Sequence, residues 1–227
     1  MNYNQFSNLS CYEEFEIQCT LTGISKIDVL KEIGHKINDY YFFISNDGIF
    51  NWFDLKGNHI EDPGSLKKIK DEYIPENITK CIIPNNITHI GRRAFSCCVS
   101  LTSITIPDSV KRIGFGAFSY CESLREITIP DSVTSIASST FWNCISLTSI
   151  TIPDSIIDIS NYGFCDCKSI KSITIPNNVT SIGYNTFSGC ESLKGVIFKG
   201  KTLDEVKQMQ YYPFGIKDER IIKVSEI

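Results

Sequence analysis

The sequence predicts a repeat solenoid: a right-handed β-solenoid of about five coils with one short parallel strand per coil, an N-terminal α+β cap and a C-terminal helical cap. Three columns on one period predict it. Prolines recur 23 residues apart at Pro84, Pro107, Pro130, Pro153 and Pro176, cysteines at Cys98, Cys121, Cys144, Cys167 and Cys190, and phenylalanines at Phe95, Phe118, Phe141, Phe164 and Phe187. A leading apolar column of Ile78, Leu101, Leu124, Leu147, Ile170 and Leu193 runs in phase with them. Self-similarity at such a period marks a unit that cannot bury its apolar edge alone and must stack on its neighbours.

The unit is clearest from Leu101 through Ile104, Ile106, Pro107, Asp108, Val110, Ile113, Gly114 and Phe118 to Cys121. It resembles the BspA-like type of leucine-rich repeat, with its pattern of Ile-Pro-Asp-Ser-Val, Ile-Gly, Ala-Phe and Cys, over residues 78–199. Ala137 and Ser160 replace the glycine, Thr140 and Thr186 the alanine, and Asn177 the turn aspartate. The resemblance implies a solenoid linked with adhesion and protein binding at cell surfaces.

The spelling has physical reasons. In Ile104-Thr105-Ile106 the isoleucines point inward and the threonine outward, and β-branched residues suit a pleated surface. Proline then ends the ladder because it has no N–H, and Asp-Ser supplies turn hydrogen bonds. Val110, Ile113, Phe118 and Cys121 fill the interior on the return path.

Open ends of a solenoid need covers. At the C-terminal end (200–227), Val196-Ile197-Phe198 takes the strand position. Thr202 to Glu205 reads as a capping box opening a helix over 202–210, and Arg220 to Val224 as a last strand. Residues 21–77 read as an N-terminal cap or small α+β domain. There Ile24, Ile27, Leu30, Ile33 and Ile37 form a helical stripe, and Tyr40–Ser45 and Ile49–Asp54 flank the hairpin signal Asn46-Asp47-Gly48. Tyr41, Phe43, Phe50, Trp52 and Phe53 read as core. Residues 1–20 remain unplaced.

Composition bounds the function. Across 227 residues, 22 Lys and Arg against 26 Asp and Glu leave a charge of −4. Without a local basic patch this gives no attraction to nucleic acid or anionic membrane. No apolar run is long enough to span a bilayer, and the polar start of the chain is unlike a signal peptide. With ten cysteines and no secretory signature the expectation is a reduced, cytoplasmic protein, with surface display implied only by the resemblance.

The cysteine column reads as a ladder of reduced thiols. Coils stack about 4.8 Å apart, whereas disulfide Cβ atoms sit about 3.8 Å apart. Buried thiols there act as small hydrophobes with a weak S–H donor for loop carbonyls. Cys81 takes a strand core position, and Cys97 and Cys165 read as exposed. No metal and no cofactor is expected.

Gly195 to Thr202 matches the phosphate-loop spelling G-x-x-x-x-G-K-[ST] literally. The repeat register, however, makes Val196-Ile197-Phe198 a strand with the glycines at its ends. Nucleotide binding through Gly200-Lys201-Thr202 is therefore a minor alternative. His35, His59 and His89 are the only histidines, and none falls in a catalytic motif. His89 reads as an exposed turn residue. Asn8, Asn77, Asn86 and Asn178 open N-x-[ST] triplets, which matter only in an exported chain.

The expectation is a non-enzymatic module that binds another protein, with a glycan as the alternative, an exported adhesin as its first rival, and self-association open. Two surfaces are candidates. The outward strand face carries Arg125, Thr128, Thr148, Thr151, Lys171, Thr174 and Lys194, a threonine strip with a basic edge. The return side carries the aromatics Phe115, Tyr120, Trp142, Tyr162 and Tyr184, of which Trp142 and Tyr162 are the chosen anchors.

Overall fold

The computed structural model describes residues 19, 25–33, 35–37, 40–44, 50–54, 56, 58–60, 68–69 and 78–225. From residue 78 onward the chain is a parallel β-solenoid, and each coil carries the predicted strand. Those strands are β6 (Lys80–Ile82), β8 (Ser103–Thr105), β10 (Glu126–Thr128), β12 (Ser149–Thr151), β14 (Ser172–Ile175) and β16 (Gly195–Lys199). Partners are one repeat apart: Cys81 faces Ile104, Ile127 faces Ile150, and Ile173 faces Val196.

A second, two-residue strand joins each coil. These are β7 (His89–Ile90), β9 (Arg112–Ile113), β11 (Ser135–Ile136), β13 (Asp158–Ile159) and β15 (Ser181–Ile182), paired in parallel. His89, read from the sequence as an exposed turn residue, lies half-buried on β7 with Nδ1 2.8 Å from Thr88 Oγ1. This second sheet begins with β5 (Lys68–Ile69), upstream of residue 78, where Ile69 pairs with Ile90.

The return path turns on two left-handed residues per coil. One column is Arg93, Gly116, Ser139, Tyr162 and Asn185, and the other is Cys97, Tyr120, Asn143, Asp166 and Gly189, with φ between 53° and 73°. The alternation aims every second N–H at the next coil. Gly116 N, Phe118 N and Tyr120 N donate to Ser138 O, Thr140 O and Trp142 O at 3.0, 3.0 and 2.7 Å. Only Gly116 and Gly189 hold this conformation without a Cβ penalty, and at Gly189 an added Cβ would also strike Asp166 Oδ1.

Inside the return path the phenylalanine column is one continuous stack. Centroids of Phe95, Phe118, Phe141, Phe164 and Phe187 follow at 5.3, 5.7, 5.4 and 5.9 Å, nearly parallel. Beside it runs the thiol ladder: Cys121, Cys144, Cys167 and Cys190 each donate Sγ–H to the carbonyl of Phe95, Phe118, Phe141 and Phe164 at 3.1 Å. Turn serines also bond across coils instead of within their own turn, Ser109 Oγ to Ile87 O at 2.7 Å and Ser155 Oγ to Val133 O at 2.6 Å. The buried substitutes Thr140 and Thr186 satisfy their hydroxyls on Ala137 O and Gly183 O, so neither leaves a polar atom unpaired.

Cys81 is buried and Cys97 exposed, as expected, but Cys165 is only 8% exposed. Its thiol donates to Asp166 Oδ2 at 3.4 Å, and Trp142 of the preceding coil reaches across to the same oxygen at 3.1 Å. Cys144→Ser is expected to lower stability by about 1–3 kcal/mol, because it puts a hydroxyl into a fully buried site fitted to sulfur. Cys97→Ser is expected to cost less than about 0.5 kcal/mol. Denaturant melts of the two variants check the difference, and equal midpoints overturn it.

Toward the C-terminal end the chain forms a short helix, within the expected 202–210, and a last strand. The helix Leu203–Gln208 opens on a capping box: Thr202 Oγ1 accepts from Glu205 N, and the Glu205 carboxylate accepts from Thr202 N at 2.7 Å. After a 3-10 turn at Glu219–Ile221, β17 (Ile222–Ser225) adds in parallel to β16. Val206, Phe214, Ile216 and Ile222 are buried in the same core as the last coils.

At the N-terminal end the helix Lys26–Ile33 includes Ile27, Leu30 and Ile33, but Ile37 falls outside it, on a strand over His35–Ile37 that pairs with Tyr40–Phe42. β1 (His35–Ile37), β2 (Tyr40–Ile44), β3 (Phe50–Asp54) and β4 (His59–Ile60) form an antiparallel meander. The predicted hairpin pairs Ile44 with Phe50; its Asn46-Asp47-Gly48 turn lies outside the described residues, as does residue 24 of the helical stripe. Phe42, Phe50 and Trp52 belong to one buried cluster with the coils.

Candidate functional site

The predicted site residues fall on two separate surfaces. Arg125, Thr128, Thr148, Thr151, Lys171, Thr174 and Lys194 all lie exposed on or beside the strands of the first sheet, with isoleucines between them turned inward. Thr128 and Thr151 are register partners, and Lys194 N bonds Lys171 O at 2.8 Å, so the two columns are fixed by the backbone. The columns differ in what they offer. Thr148 Oγ1 is spent on Arg125 O at 3.1 Å, as Thr102 Oγ1 is on Thr79 O at 2.9 Å. The hydroxyls of Thr105, Thr128, Thr151 and Thr174 make no hydrogen bond among the described residues and face solvent. The result is a rigid strip of free hydroxyls with Arg125, Lys171 and Lys194 along one side.

Trp142 and Tyr162 stand on the return side, each 37% exposed. They belong to different clusters: Trp142 pairs with Tyr120 at 5.3 Å, while Tyr162 meets Tyr184 edge-on at 5.8 Å and Tyr184 meets Tyr211 at 6.1 Å. The aromatics are thus half-spent on one another, and the Trp142 indole N–H is committed to Asp166.

The phosphate-loop spelling folds as its repeat register dictates. Gly195–Lys199 is a strand, Lys201 Nζ donates to Asn177 O at 2.8 Å, and the Thr202 hydroxyl caps the helix, so the segment forms no compact anion nest. Among the described residues no group of three or more His, Cys, Asp or Glu is placed to hold a metal ion, and no helix is long and apolar enough to cross a membrane.

One concavity escaped the sequence reading. A cleft of about 370 Å³ opens beside the second strands of the first three coils, lined among others by His89, Arg92, Arg112, Phe115, Gly114 and Ser135. His89 and Arg112 share a column with Ser135, Asp158 and Ser181, and Arg92 and Phe115 one with Ser138, Asn161 and Tyr184, so no repeated signal announces it.

A parallel β-solenoid that fixes outward columns of short polar and basic side chains defines a repeat protein built to present rigid surfaces. A family profile described as the BspA type Leucine rich repeat region matches in six copies, over residues 1–125, 46–168 and 88–217, and the chain belongs to that family. Among solved structures it is similar to the leucine-rich repeat protein of T. pallidum, with 25% identity, a TM-score of 0.58, and coverage of 70% of this chain and 73% of that one. It is also similar to a leucine rich cell surface protein of Faecalibacterium prausnitzii, with 28% identity and a TM-score of 0.48; the match covers 73% of this chain and 54% of that one, so the chain spans about half its length. No curated protein matches the chain. The family supports a repeat protein-interaction role.

Proposed function

We propose that the protein is a non-enzymatic protein-interaction module whose first-sheet outer face is the binding surface. The observation that carries this is the row of exposed, unspent hydroxyls at Thr128, Thr151 and Thr174, one per coil and the first two in register, beside Arg125, Lys171 and Lys194. Because the backbone ladder already fixes these groups, a partner orders little on binding, and most of the contact energy remains as affinity. The return-side aromatics serve this role less well, since their rings and the Trp142 N–H are already engaged within the molecule.

The test is a crosslinking pull-down read by mass spectrometry. It compares wild type with Arg125→Glu/Lys171→Glu and with Trp142→Ala/Tyr162→Ala, after thermal melts confirm that each variant is folded. Loss of a specific partner in the first variant alone is expected. Loss in the second alone moves the binding surface to the return side. An identical set of proteins from all three overturns the use of either face.

A further inference from the structure

We propose that the cleft on the second sheet is a separate docking site for an acidic, aromatic-bearing peptide segment of a partner protein. Its chemistry is unlike the rest of the molecule. The chain carries a net charge of −4, yet this cleft is lined by His89, Arg92 and Arg112, and no Asp or Glu is among its lining residues. His89 and Arg112 are register partners on β7 and β9, and Lys68 is the register partner of His89 on β5, so basic residues succeed one another in one column. Arg93 and Lys111, both exposed, extend the positive charge around it. Neither Arg92, Arg93, Lys111 nor Arg112 makes an ion pair among the described residues.

The cleft is preorganised. The Arg92 guanidinium lies over the Phe115 ring at 4.8 Å and that of Arg93 at 5.8 Å, which holds both heads in place without neutralising them. Gly91 and Gly114 are among the lining residues, and a Cβ on Gly114 would sit 2.8 Å from Arg92 N. A planar guanidinium presents a fork that matches a carboxylate bidentately, and Phe115, 37% exposed, offers an apolar ring beside it. Arginine and aromatic side chains are the groups that most often dominate interface energetics.

The extent of the charge selects the occupant. At the equivalent positions of the next two coils stand Ser135 and Asp158, register partners of each other, so the run of basic residues ends at Arg112. A long polyanion, whether nucleic acid or sulfated polysaccharide, would run onto Asp158. A peptide that brings one or two carboxylates next to an aromatic ring uses the whole cleft. This rests on the protein-interaction reading and adds a second face with defined chemistry.

The experiment is fluorescence anisotropy of the full chain with a fluorescein-labelled peptide of alternating glutamate and phenylalanine. The same peptide with glutamine for glutamate, and a labelled heparin oligosaccharide, form the other arms. The expected result is saturable binding of the glutamate peptide that weakens with added salt, with affinity at least about tenfold lower for the glutamine peptide and for the folded Arg92→Ala/Arg112→Ala variant. Arg125→Glu/Lys171→Glu, on the other sheet, is expected to bind the peptide as wild type does. Equal binding of the glutamate and glutamine peptides, undiminished binding by Arg92→Ala/Arg112→Ala, or binding of the oligosaccharide alone overturns the proposal. Any of these leaves the first-sheet reading standing, because that reading is decided by which variant loses its crosslinked partner.

Discussion

Phe141→Ala is expected to destabilise the protein by about 3–5 kcal/mol and to broaden or split its unfolding transition. The ring is fully buried and stacks on both neighbours, Phe118 at 5.7 Å and 5° and Phe164 at 5.4 Å and 7°. Its loss therefore removes two aromatic contacts as well as the transfer energy of the side chain, and it leaves a cavity where the coils above and below cannot collapse. Stability in a repeat array is a chain of nearest-neighbour interfaces, so a weak central interface uncouples the two halves. Phe95→Ala is the comparison, since among the described rings Phe95 stacks on Phe118 alone. Denaturant melts followed by circular dichroism decide it. A loss at Phe141 no greater than that at Phe95, with an unchanged slope, overturns the continuous stack as a source of cooperativity.

The second large effect is a steep loss of stability in alkali. Burial pushes the Cys144 and Cys190 thiols up from an ordinary value near 9 to about 12, and those of Cys121 and Cys167 well upward, the last two also through neighbouring thiols in the column. The folded state therefore holds protons that the unfolded chain releases. This contribution is complete below pH 9 and is lost as pH climbs from 9 toward 12. Each such thiol costs about 1.4 kcal/mol per pH unit in that window, and four together about 5, comparable to the whole stability of a small domain. Melting temperature is expected to stay level from pH 7 to 8.5 and then to fall sharply. In Cys144→Ala/Cys167→Ala the alkaline slope is expected to be shallower by about 3 kcal/mol per pH unit. Equal slopes in the two proteins would locate the alkaline sensitivity elsewhere.

The period made the solenoid legible because each of its columns has one job that few residue types can do. Phenylalanine fills the stack, cysteine donates into a buried carbonyl from the smallest apolar body, and proline ends the ladder. What the sequence hid follows from the same logic. The second strand has two residues and one inward side chain, too few for alternation to show. The left-handed columns hold Arg, Ser, Tyr, Asn, Cys and Asp as well as glycine, so backbone conformation there is imposed by the stacked coils and not by local preference. Ile37 continued a helical spacing in sequence, but its strand pairing with Tyr40 decided its conformation. Cys165 read as exposed because it stands in a variable column, whereas in the fold it is buried and its thiol shares the Asp166 carboxylate oxygen with Trp142 from the preceding coil. The outward residues Arg125, Thr128 and Lys171 stand where the strand register put them. The basic cleft stayed invisible because it exists only where two variable columns happen to bring His89, Arg92 and Arg112 together.

The forward N–H bonds and backward thiol bonds of the return path join each coil to the ones immediately before and after it. Thiol and acceptor sit 26 residues apart in every rung, one repeat plus the three residues from phenylalanine to cysteine. Under tension such a structure has a unit of failure. If the ends are pulled apart, the terminal coil peels away and presents an equivalent edge to the same load, releasing about 70–80 Å of chain each time. The solenoid would then behave as a graded tether that yields in equal lengths and rewinds onto an intact template when the load falls.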